Sequence, residues 1–226
     1  MLRFCLKRSG KFKSRIMGNK YIISDYSIIG KGFVKTSRER FDFPYEENDG
    51  RFFKNIYKQL EINYPKFYKM DRLSKLAFLT AEYLLKDKSL SEKYAPDDVA
   101  MIFSNSNSSL DTDIKHNNSI LNKDNYFPKP AVFVYTLPNI LMGEISIRHT
   151  LRGENTFFVS EKFDAAFFID YVSNLLNTTK HKACLLGRTD YIAGNFESAL
   201  FLIEKNGEDM EGKLLNEANL NRMFNL

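Results

Sequence analysis

The sequence has no tryptophan, two cysteines and three histidines in 226 residues, and each scarcity excludes a class of protein. Cys5 and Cys184 are too few for a disulfide framework, so the sequence is typical of a reducing compartment and we expect a cytoplasmic location. His181 lies three residues before Cys184, but no second pair of ligands accompanies them, so we predict no zinc or iron site. We also expect no cofactor.

Long apolar runs are missing as well, since no stretch approaches the roughly 18 residues of a membrane-spanning helix. The N-terminus is charged but lacks the apolar core of a secretory signal. The glycine-rich phosphate loop, the dinucleotide motif Gly-x-Gly-x-x-Gly and the Gly-x-Ser-x-Gly turn of serine hydrolases are all absent. The sequence therefore predicts no membrane span and none of these nucleotide-binding or hydrolase classes.

The net charge of +5 comes from one end of the chain. Residues 1–16 carry six basic residues and no acidic one, whereas the rest of the chain has 27 basic and 28 acidic residues. We therefore predict no nucleic-acid partner, and we expect residues 1–18 to be a basic, disordered tail. Two other interpretations stay open: a true start at Met17, and a contact of the tail with phosphate or an acidic partner.

Apolar, β-branched segments alternate with helical patterns along the rest of the chain, which predicts a layered α/β fold. One helix is expected over residues 71–86, with Asp71 as its N-cap and an apolar stripe on one face. The expected strands are residues 21–29, 98–103, 156–159, 182–188 and 198–204, and the expected helices are 51–60, 71–86, from about 110, from about 137, and 163–176.

The turn before the last of these helices is where α/β enzymes often place a nucleophile. An apolar strand, Thr156–Val159, runs into the polar turn Ser160–Lys162, and the helix is expected to begin at Phe163. A phenyl ring is neither a nucleophile nor an acid nor a base, so this residue does not suit the position. The helix is apolar around nearly its whole circumference, and a helix of that kind is expected to be buried on every side.

Ser160 and Glu161, in the same turn, allow an enzymatic hypothesis in which they serve an acyl hydrolase or transferase. A neighbouring Ser–Glu pair without a base is also ordinary turn chemistry. Both interpretations stay open at this point.

Four segments resemble motifs of the β-ketoacyl synthases, in the order and spacing of that family. Asn139–Gly153 is similar to the family's stretch that begins with Asn-x-x-x-Gly and ends with Leu-Arg-Gly-Pro, and Lys69–Ala77 is similar to its Met-Asp-Arg helix start. Lys182–Arg188 takes the place of the family's strand that ends in Gly-Gly. Ser108–Leu110 loosely resembles its Gly-Gly-Leu, and the resemblance covers roughly residues 19–204.

The resemblance implies a thiolase-like α/β half-domain over residues 19–226, with a mixed five-stranded sheet layered with helices and a central helix after the degenerate nucleophile turn. The nucleophilic Cys of the family aligns with Phe163, and the family's second half, which carries two catalytic histidines, has no counterpart in this sequence. By this resemblance we predict a pseudoenzyme. It is most similar to the truncated, Cys-less chain-length factors of aryl polyene and flexirubin-type pigment pathways.

The resemblance also implies partners and a site. A full-length ketosynthase is the expected heterodimer partner, and an acyl carrier protein is expected to reach the chain through that complex. The strand expected to pair with the ketosynthase consists of Asn155, Thr156, Phe157, Phe158 and Val159. The candidates for lining or closing the acyl tunnel are Asn107, Phe133, Tyr135 and Phe163.

Two alternatives remain beside this interpretation. Phe133 and Tyr135 are equally suited to simple packing at an interface. A self-associating module that binds an acyl chain or a carrier protein without catalysis is the other hypothesis for the whole chain.

Overall fold

The computed structural model of the protein describes residues 20–47, 50–86, 90–121, 128–207 and 211–224. The segment expected to be a disordered tail, residues 1–18, lies outside the described residues, and so does Cys5.

A mixed sheet forms the centre of the molecule, and its strands run in the order β3-β2-β1-β7-β6-β4-β5, with β8 pairing to β1 beside this path. The pairs β4–β5 and β4–β6 are parallel, and the other pairs are antiparallel. The strands are β1 (Tyr21–Gly30), β2 (Phe33–Thr36), β3 (Arg40–Asp42), β4 (Val99–Asn105), β5 (Asn155–Val159), β6 (Ala183–Ile192), β7 (Asn195–Lys205) and β8 (Lys213–Leu214).

The predicted mixed α/β sheet is confirmed, but the predicted number of five strands is wrong, because the described residues already form eight. The five expected strands correspond to β1, β4, β5, β6 and β7. The additional strands β2, β3 and β8 are only two to four residues long. Strands this short give no readable alternation of apolar and polar residues, which explains why the sequence did not reveal them.

The helices among the described residues are α1 (Phe52–Gln59), α2 (Arg72–Leu85), α3 (Leu90–Lys93), α4 (Leu110–Asn118), α5 (Pro130–Phe133), α6 (Ile140–His149), α7 (Ala165–Thr178) and α8 (Glu217–Phe224). Asp71 caps α2 as predicted, because its Oδ1 accepts a hydrogen bond from Ser74 N at 2.8 Å. The helix expected from about residue 137 begins at Ile140, since α5 and a 3₁₀ turn over Val134–Thr136 precede it.

Helices cover both faces of the sheet, and β4 shows how its side chains divide between them. Val99, Met101 and Phe103 pack on the side of α1, α2 and α6. Ala100 and Ile102 point to the opposite side, where they pack with α7 and α8. Successive side chains of a strand alternate between its two faces, so this fully buried strand contributes to two apolar cores.

Helix α7 differs from the prediction in two respects. It begins at Ala165 rather than at Phe163, because the Asp164 side chain accepts a hydrogen bond from Phe167 N at 3.0 Å and caps the helix. The prediction that the helix is buried on every side is wrong within this chain. Its sheet-facing side is buried, but Phe167 on the opposite side is 43% exposed. The sheet and α8 cover only part of the circumference of α7.

None of the single helices in the described ranges is long and apolar enough to cross a membrane. One bent pair, Pro130–Thr136 with Ile140–His149, satisfies the requirements of length and composition only, with an angle of 98° between its two parts.

Glu82 is buried in α2 and joins this helix to α6. Its Oε1 accepts a hydrogen bond from Arg148 Nε at 2.9 Å, and His149 Nε2 lies 2.9 Å from the same atom. Burial acts to raise the pKa of Glu82, but the close contacts with His149 and Arg148 outweigh burial, so the pKa lies below its usual value.

A carboxyl group whose pKa is lower in the folded state stabilises the fold above its unfolded pKa, and this stabilisation is lost as the pH falls through the folded pKa. We therefore expect the free energy of unfolding to decrease as the pH falls below the usual range of a glutamate pKa, and to decrease less steeply in the Glu82→Gln variant. Urea unfolding at several pH values measures both slopes, and equal slopes would contradict the assignment to Glu82.

Candidate functional site

The carboxyl ends of the parallel strands β4, β5 and β6 meet at one end of the sheet, where open α/β sheets usually place their functional groups. The loop 106–109 follows β4, and the turn that holds Ser160 and Phe163 follows β5. Ser160 N donates a hydrogen bond to Asn105 O at 2.8 Å. This bond continues the β4–β5 pairing by one residue and brings the loop and the turn together.

Phe163 is half-buried and lies between two other rings. Its ring stacks on Phe168 of α7, with centroids 4.9 Å apart, and on Phe224 of α8, with centroids 4.8 Å apart. The position that resembles a nucleophile position is therefore filled by a packed phenyl ring. This stack also fixes α8 against the start of α7.

Ser160 and Glu161 form the exposed part of the same turn. Ser160 Oγ donates to Lys162 O at 3.0 Å, which is a contact within the turn. The backbone carbonyls of Ser160 and Glu161 point inward and accept hydrogen bonds from Arg188. The geometry thus gives Ser160 Oγ a turn contact, and the enzymatic hypothesis for this pair stays untested.

A buried arginine of β6 lies at the centre of this end of the sheet. Arg188 is 4% exposed, and its Nε donates to Glu197 Oε1 at 2.9 Å. Its Nη2 donates to Ser106 Oγ at 2.9 Å and to Glu161 O at 3.4 Å, and its Nη1 donates to Ser160 O at 3.3 Å. One side chain therefore joins the loop after β4 to the turn after β5.

Asp190, two residues further along β6, is also buried and holds the loop after β4. Its Oδ2 accepts hydrogen bonds from Ser106 N at 3.0 Å, from Ser106 Oγ, and from Asn107 Nδ2 at 2.9 Å. The same oxygen lies 3.8 Å from Arg188 Nη2. We call the five residues of this network the arginine cluster: Ser106, Asn107, Arg188, Asp190 and Glu197.

Sequence reasoning named only Asn107 of the arginine cluster, and as a tunnel candidate, although one signal for the cluster was present. Arg188 and Asp190 are separated by one residue, so they share a face of a strand that is otherwise largely apolar. Opposite charges at such positions in a buried strand need partners, because an unpaired buried charge is costly. Their partners lie in other segments of the chain, which only the fold brings together.

The tunnel candidates lie in different surroundings. Asn107 belongs to the arginine cluster, and Phe133 is 60% exposed, with its ring centroid 5.3 Å from that of His116. Tyr135 is buried, and its hydroxyl donates to Glu144 Oε1 at 3.0 Å. Burial and the neighbouring Glu144 raise the pKa of Tyr135. The assignment of these residues to an acyl tunnel stays a prediction.

Strand β5 lies at the edge of the sheet, as its predicted role requires, and its partner among the described strands is β4. Met101 N donates to Glu154 O, and Ser160 N donates to Asn105 O, each at 2.8 Å. The backbone groups of successive residues alternate in direction along a strand, so those of Asn155, Phe157 and Val159 face away from β4. Val159 also exposes 58% of its surface. The pairing of β5 with another protein stays a prediction.

An exposed apolar surface begins beside this end of the sheet and extends over α4 and the segment from α5 to Leu137. Six large apolar side chains are between 45% and 63% exposed there: Leu110, Ile114, Leu121, Phe133, Val134 and Leu137. Ser109 Oγ donates to Thr136 O at 2.8 Å and ties the two segments together. We call these six residues the α4–α5 surface. Apolar patches of this kind often mark an interface.

The stacking of Phe163 leads to a prediction about stability. Phe163→Ala is expected to lower the free energy of unfolding by about 2 kcal/mol, because it removes a half-buried ring and two ring contacts. Urea unfolding measures this loss. Phe133→Ala is the matched control, because Phe133 is 60% exposed, and its effect is expected to stay within about 0.5 kcal/mol. Equal losses in the two variants would contradict a packing role for Phe163.

The sequence matches no family model and no curated protein. Its structure, however, is similar to solved structures of ketosynthases and chain length factors. The ishigamide ketosynthase/chain length factor matches with a TM-score of 0.60 and 15% identity, over 85% of this chain and 64% of that chain. The ketosynthase in complex with its chain length factor from Xenorhabdus doucetiae matches with a TM-score of 0.54 and 13% identity, over 91% of this chain and 90% of that chain.

A third structure, a type II acyl-carrier protein in complex with its hexaketide-bound ketosynthase, matches with a TM-score of 0.59 and 13% identity, over 84% of this chain and 63% of that chain. The chain thus spans only 64% and 63% of the length of two of these three relatives. Identities this low concern the fold, and the prediction of a thiolase-like fold is confirmed. The chain therefore has the α/β fold of the ketosynthases and chain length factors.

Proposed function

We propose that the chain is a non-catalytic, chain-length-factor-like subunit that forms a heterodimer with a full-length β-ketoacyl synthase and shapes its acyl tunnel. The single observation that carries this proposal is an edge strand, paired on one side only among the described strands, followed by a turn that ends in a packed phenyl ring. Strand β5 ends at Val159, whose backbone groups face away from β4. Phe163 lies at the end of the turn that follows this strand, and its ring is packed. A partner that supplies a strand and a nucleophile would complement both features.

The absence of catalysis in this proposal rests on chemistry. Condensation by a ketosynthase requires a thiolate that holds the acyl group. The position that resembles the thiolate position holds the phenyl ring of Phe163, which is stacked between Phe168 and Phe224. In the proposed complex the ketosynthase supplies the thiolate, and this chain supplies part of the wall and the interface.

The interface in this proposal consists of β5, the exposed side of α7 and the α4–α5 surface. The turn that leads into α7 and the loop that leads into α4 are joined beside β5, because Ser160 N bonds to Asn105 O. Phe167 on α7 is 43% exposed, and Val159 at the end of β5 is 58% exposed. An edge strand flanked by apolar side chains suits strand addition, in which backbone bonds give affinity and side chains give specificity.

Among the tunnel candidates, Phe133 is best placed for a contact with the acyl chain or with the partner, since it is exposed on the α4–α5 surface. Asn107 is held near the same surface by Asp190. Tyr135 contributes from the inside, because its bond to Glu144 holds the segment before α6 in place. The acyl carrier protein is proposed to reach this chain through the complex, and aryl polyenes or flexirubin-type pigments are the proposed products.

Co-expression with a full-length ketosynthase from the same gene neighbourhood, one with an intact Cys and two His, tests this proposal. We expect the two chains to co-purify as a heterodimer and the pathway product to require both. Full ketosynthase activity without this chain, together with a failure to co-purify, would refute the proposal.

The exposed edge strand also allows the second candidate, a self-associating module that binds an acyl chain or a carrier protein. A stable, monodisperse homodimer of the isolated chain that does not exchange with the ketosynthase would favour this candidate. For the enzymatic hypothesis, unchanged pathway output from the Ser160→Ala and Glu161→Ala variants would exclude the turn residues as catalysts.

A further inference from the structure

We infer that Arg188 is a positioning residue that holds the two parts of the partner-facing surface in one fixed arrangement. The first part is the turn that links β5 to α7, and the second is the loop that links β4 to α4. This inference rests on the proposed function, since it concerns the same surface, and it names the residue that would make that surface rigid before a partner binds.

The position of Arg188 in the sequence is the first argument. Arg188 directly follows Gly187 in β6, and both residues are buried in the middle of the sheet. A Cβ atom at Gly187 would lie 3.1 Å from Leu200 Cγ and 3.2 Å from Phe103 Cε1, so the face that Gly187 occupies is closely packed. Side chains of successive strand residues point to opposite faces, so Arg188 extends to the other face, where the turn lies.

The contacts of the guanidinium group are the second argument. Nη1 donates to Ser160 O and Nη2 donates to Glu161 O, so two consecutive carbonyls of the turn are bound to one planar group. Nη2 also donates to Ser106 Oγ in the loop after β4. A guanidinium has five donors in a fixed planar geometry, whereas a lysine ammonium is a compact charge on a flexible stem. Only arginine can therefore satisfy these acceptors together.

The burial of the charges is the third argument. Arg188 is 4% exposed and Asp190 is 6% exposed, and the side chain of Glu197 remains half-exposed. Asp190 keeps hydrogen bonds from Ser106 and Asn107 without the arginine, but it would lose its buried counter-charge. The charge of Arg188 thus balances Asp190, whereas its planar geometry binds the turn and the loop. Two different variants are needed to test these two contributions.

The first variant is Arg188→Lys, which keeps the charge and loses the planar donor set. Hydrogen–deuterium exchange of the isolated chain is expected to become about tenfold faster in two segments only, the loop 104–110 and the turn 158–165, because both lose bonds to the guanidinium. The second variant, Arg188→Met combined with Asp190→Asn, removes both buried charges and is expected to show the same pattern. It keeps the test valid if the lysine variant does not fold.

The matched control is Arg148→Lys, because Arg148 is a partly buried arginine that donates to the two oxygens of Glu82, a residue of α2 that lies outside both segments. It is expected to leave exchange in the two segments unchanged. Affinity for the co-expressed full-length ketosynthase is expected to fall about tenfold in Arg188→Lys and to stay unchanged in Arg148→Lys. This difference separates positioning from a general loss of stability.

The outcomes for the two proposals are distinguishable. If the wild-type chain binds no ketosynthase, the proposed function fails, and the exchange experiment on the isolated chain still decides the role of Arg188. If the wild-type chain binds, but Arg188→Lys binds equally well with unchanged exchange in the two segments, the inference about Arg188 is overturned. Faster exchange throughout the chain would also overturn it, because it would show a general structural role.

Discussion

Gly153→Ala is expected to destabilise the protein by more than about 3 kcal/mol. A Cβ atom at this position would lie 2.1 Å from Val99 O and 2.7 Å from Val99 C. Both are backbone atoms of β4 and cannot move aside as the end of a flexible side chain can. The segment before β5 would have to separate from β4, and the parallel pairing that begins at Met101 and Asn155 would be disturbed. Urea unfolding measures the loss.

Gly143→Ala is the matched control, since it adds the same methyl group at a glycine of α6 that has nothing within 4 Å of the added atom. Alanine is favoured over glycine in a helix, so this variant is expected to be more stable than the wild type by about 0.5 to 1 kcal/mol. A loss below about 1 kcal/mol in Gly153→Ala would show that residue 153 does not pack against β4 as closely as the structure describes.

Gly153 illustrates what the sequence can and cannot reveal. It was noted as part of a motif that resembles Leu-Arg-Gly-Pro, but its contact with Val99 depends on how two distant segments pack. The expected strands and helix α2 followed from local signals, namely β-branched apolar runs and the N-cap Asp71, and these signals were sufficient. Contacts between distant segments produce no local signal of this kind.

Helix α7 shows a second limit. Its nearly uniform apolar composition predicted burial on every side, and yet Phe167 is 43% exposed in this chain. Sequence patterns do not distinguish a side chain that packs in its own core from one suited to a partner's surface, because both are apolar. The face of α7 that carries Phe167 was wrongly predicted to be buried within this chain. The same face is part of the proposed interface.

The candidate site was only partly predictable for the same physical reason. Phe163 was identified because a strand, a turn and a helix follow each other in sequence. The arginine cluster was not identified, because Ser106, Arg188 and Glu197 belong to three segments that meet only in the folded sheet. A charged residue near the end of a strand is usually solvated, and here the fold buries it instead.

Val159→Pro is expected to weaken binding to the full-length ketosynthase by about two orders of magnitude in Kd, or about 3 kcal/mol. The backbone N–H of Val159 faces away from β4, so proline removes a donor that an added strand would use and that the pairing with β4 does not need. Proline is tolerated on an edge strand, and the side chain of Val159 is 58% exposed, so the free energy of unfolding is expected to change by less than about 1 kcal/mol. Biolayer interferometry and urea unfolding measure the two quantities.

Val159→Ala separates the backbone from the side chain in this experiment. Both variants lose the exposed valine side chain, but alanine keeps the outward-facing N–H, so its affinity is expected to fall by less than about tenfold. A large difference between the two variants would therefore report a backbone hydrogen bond between β5 and the partner. If the two variants bind equally well, the partner does not extend the sheet at β5, and contacts with the exposed side of α7 and with the α4–α5 surface would have to account for the complex.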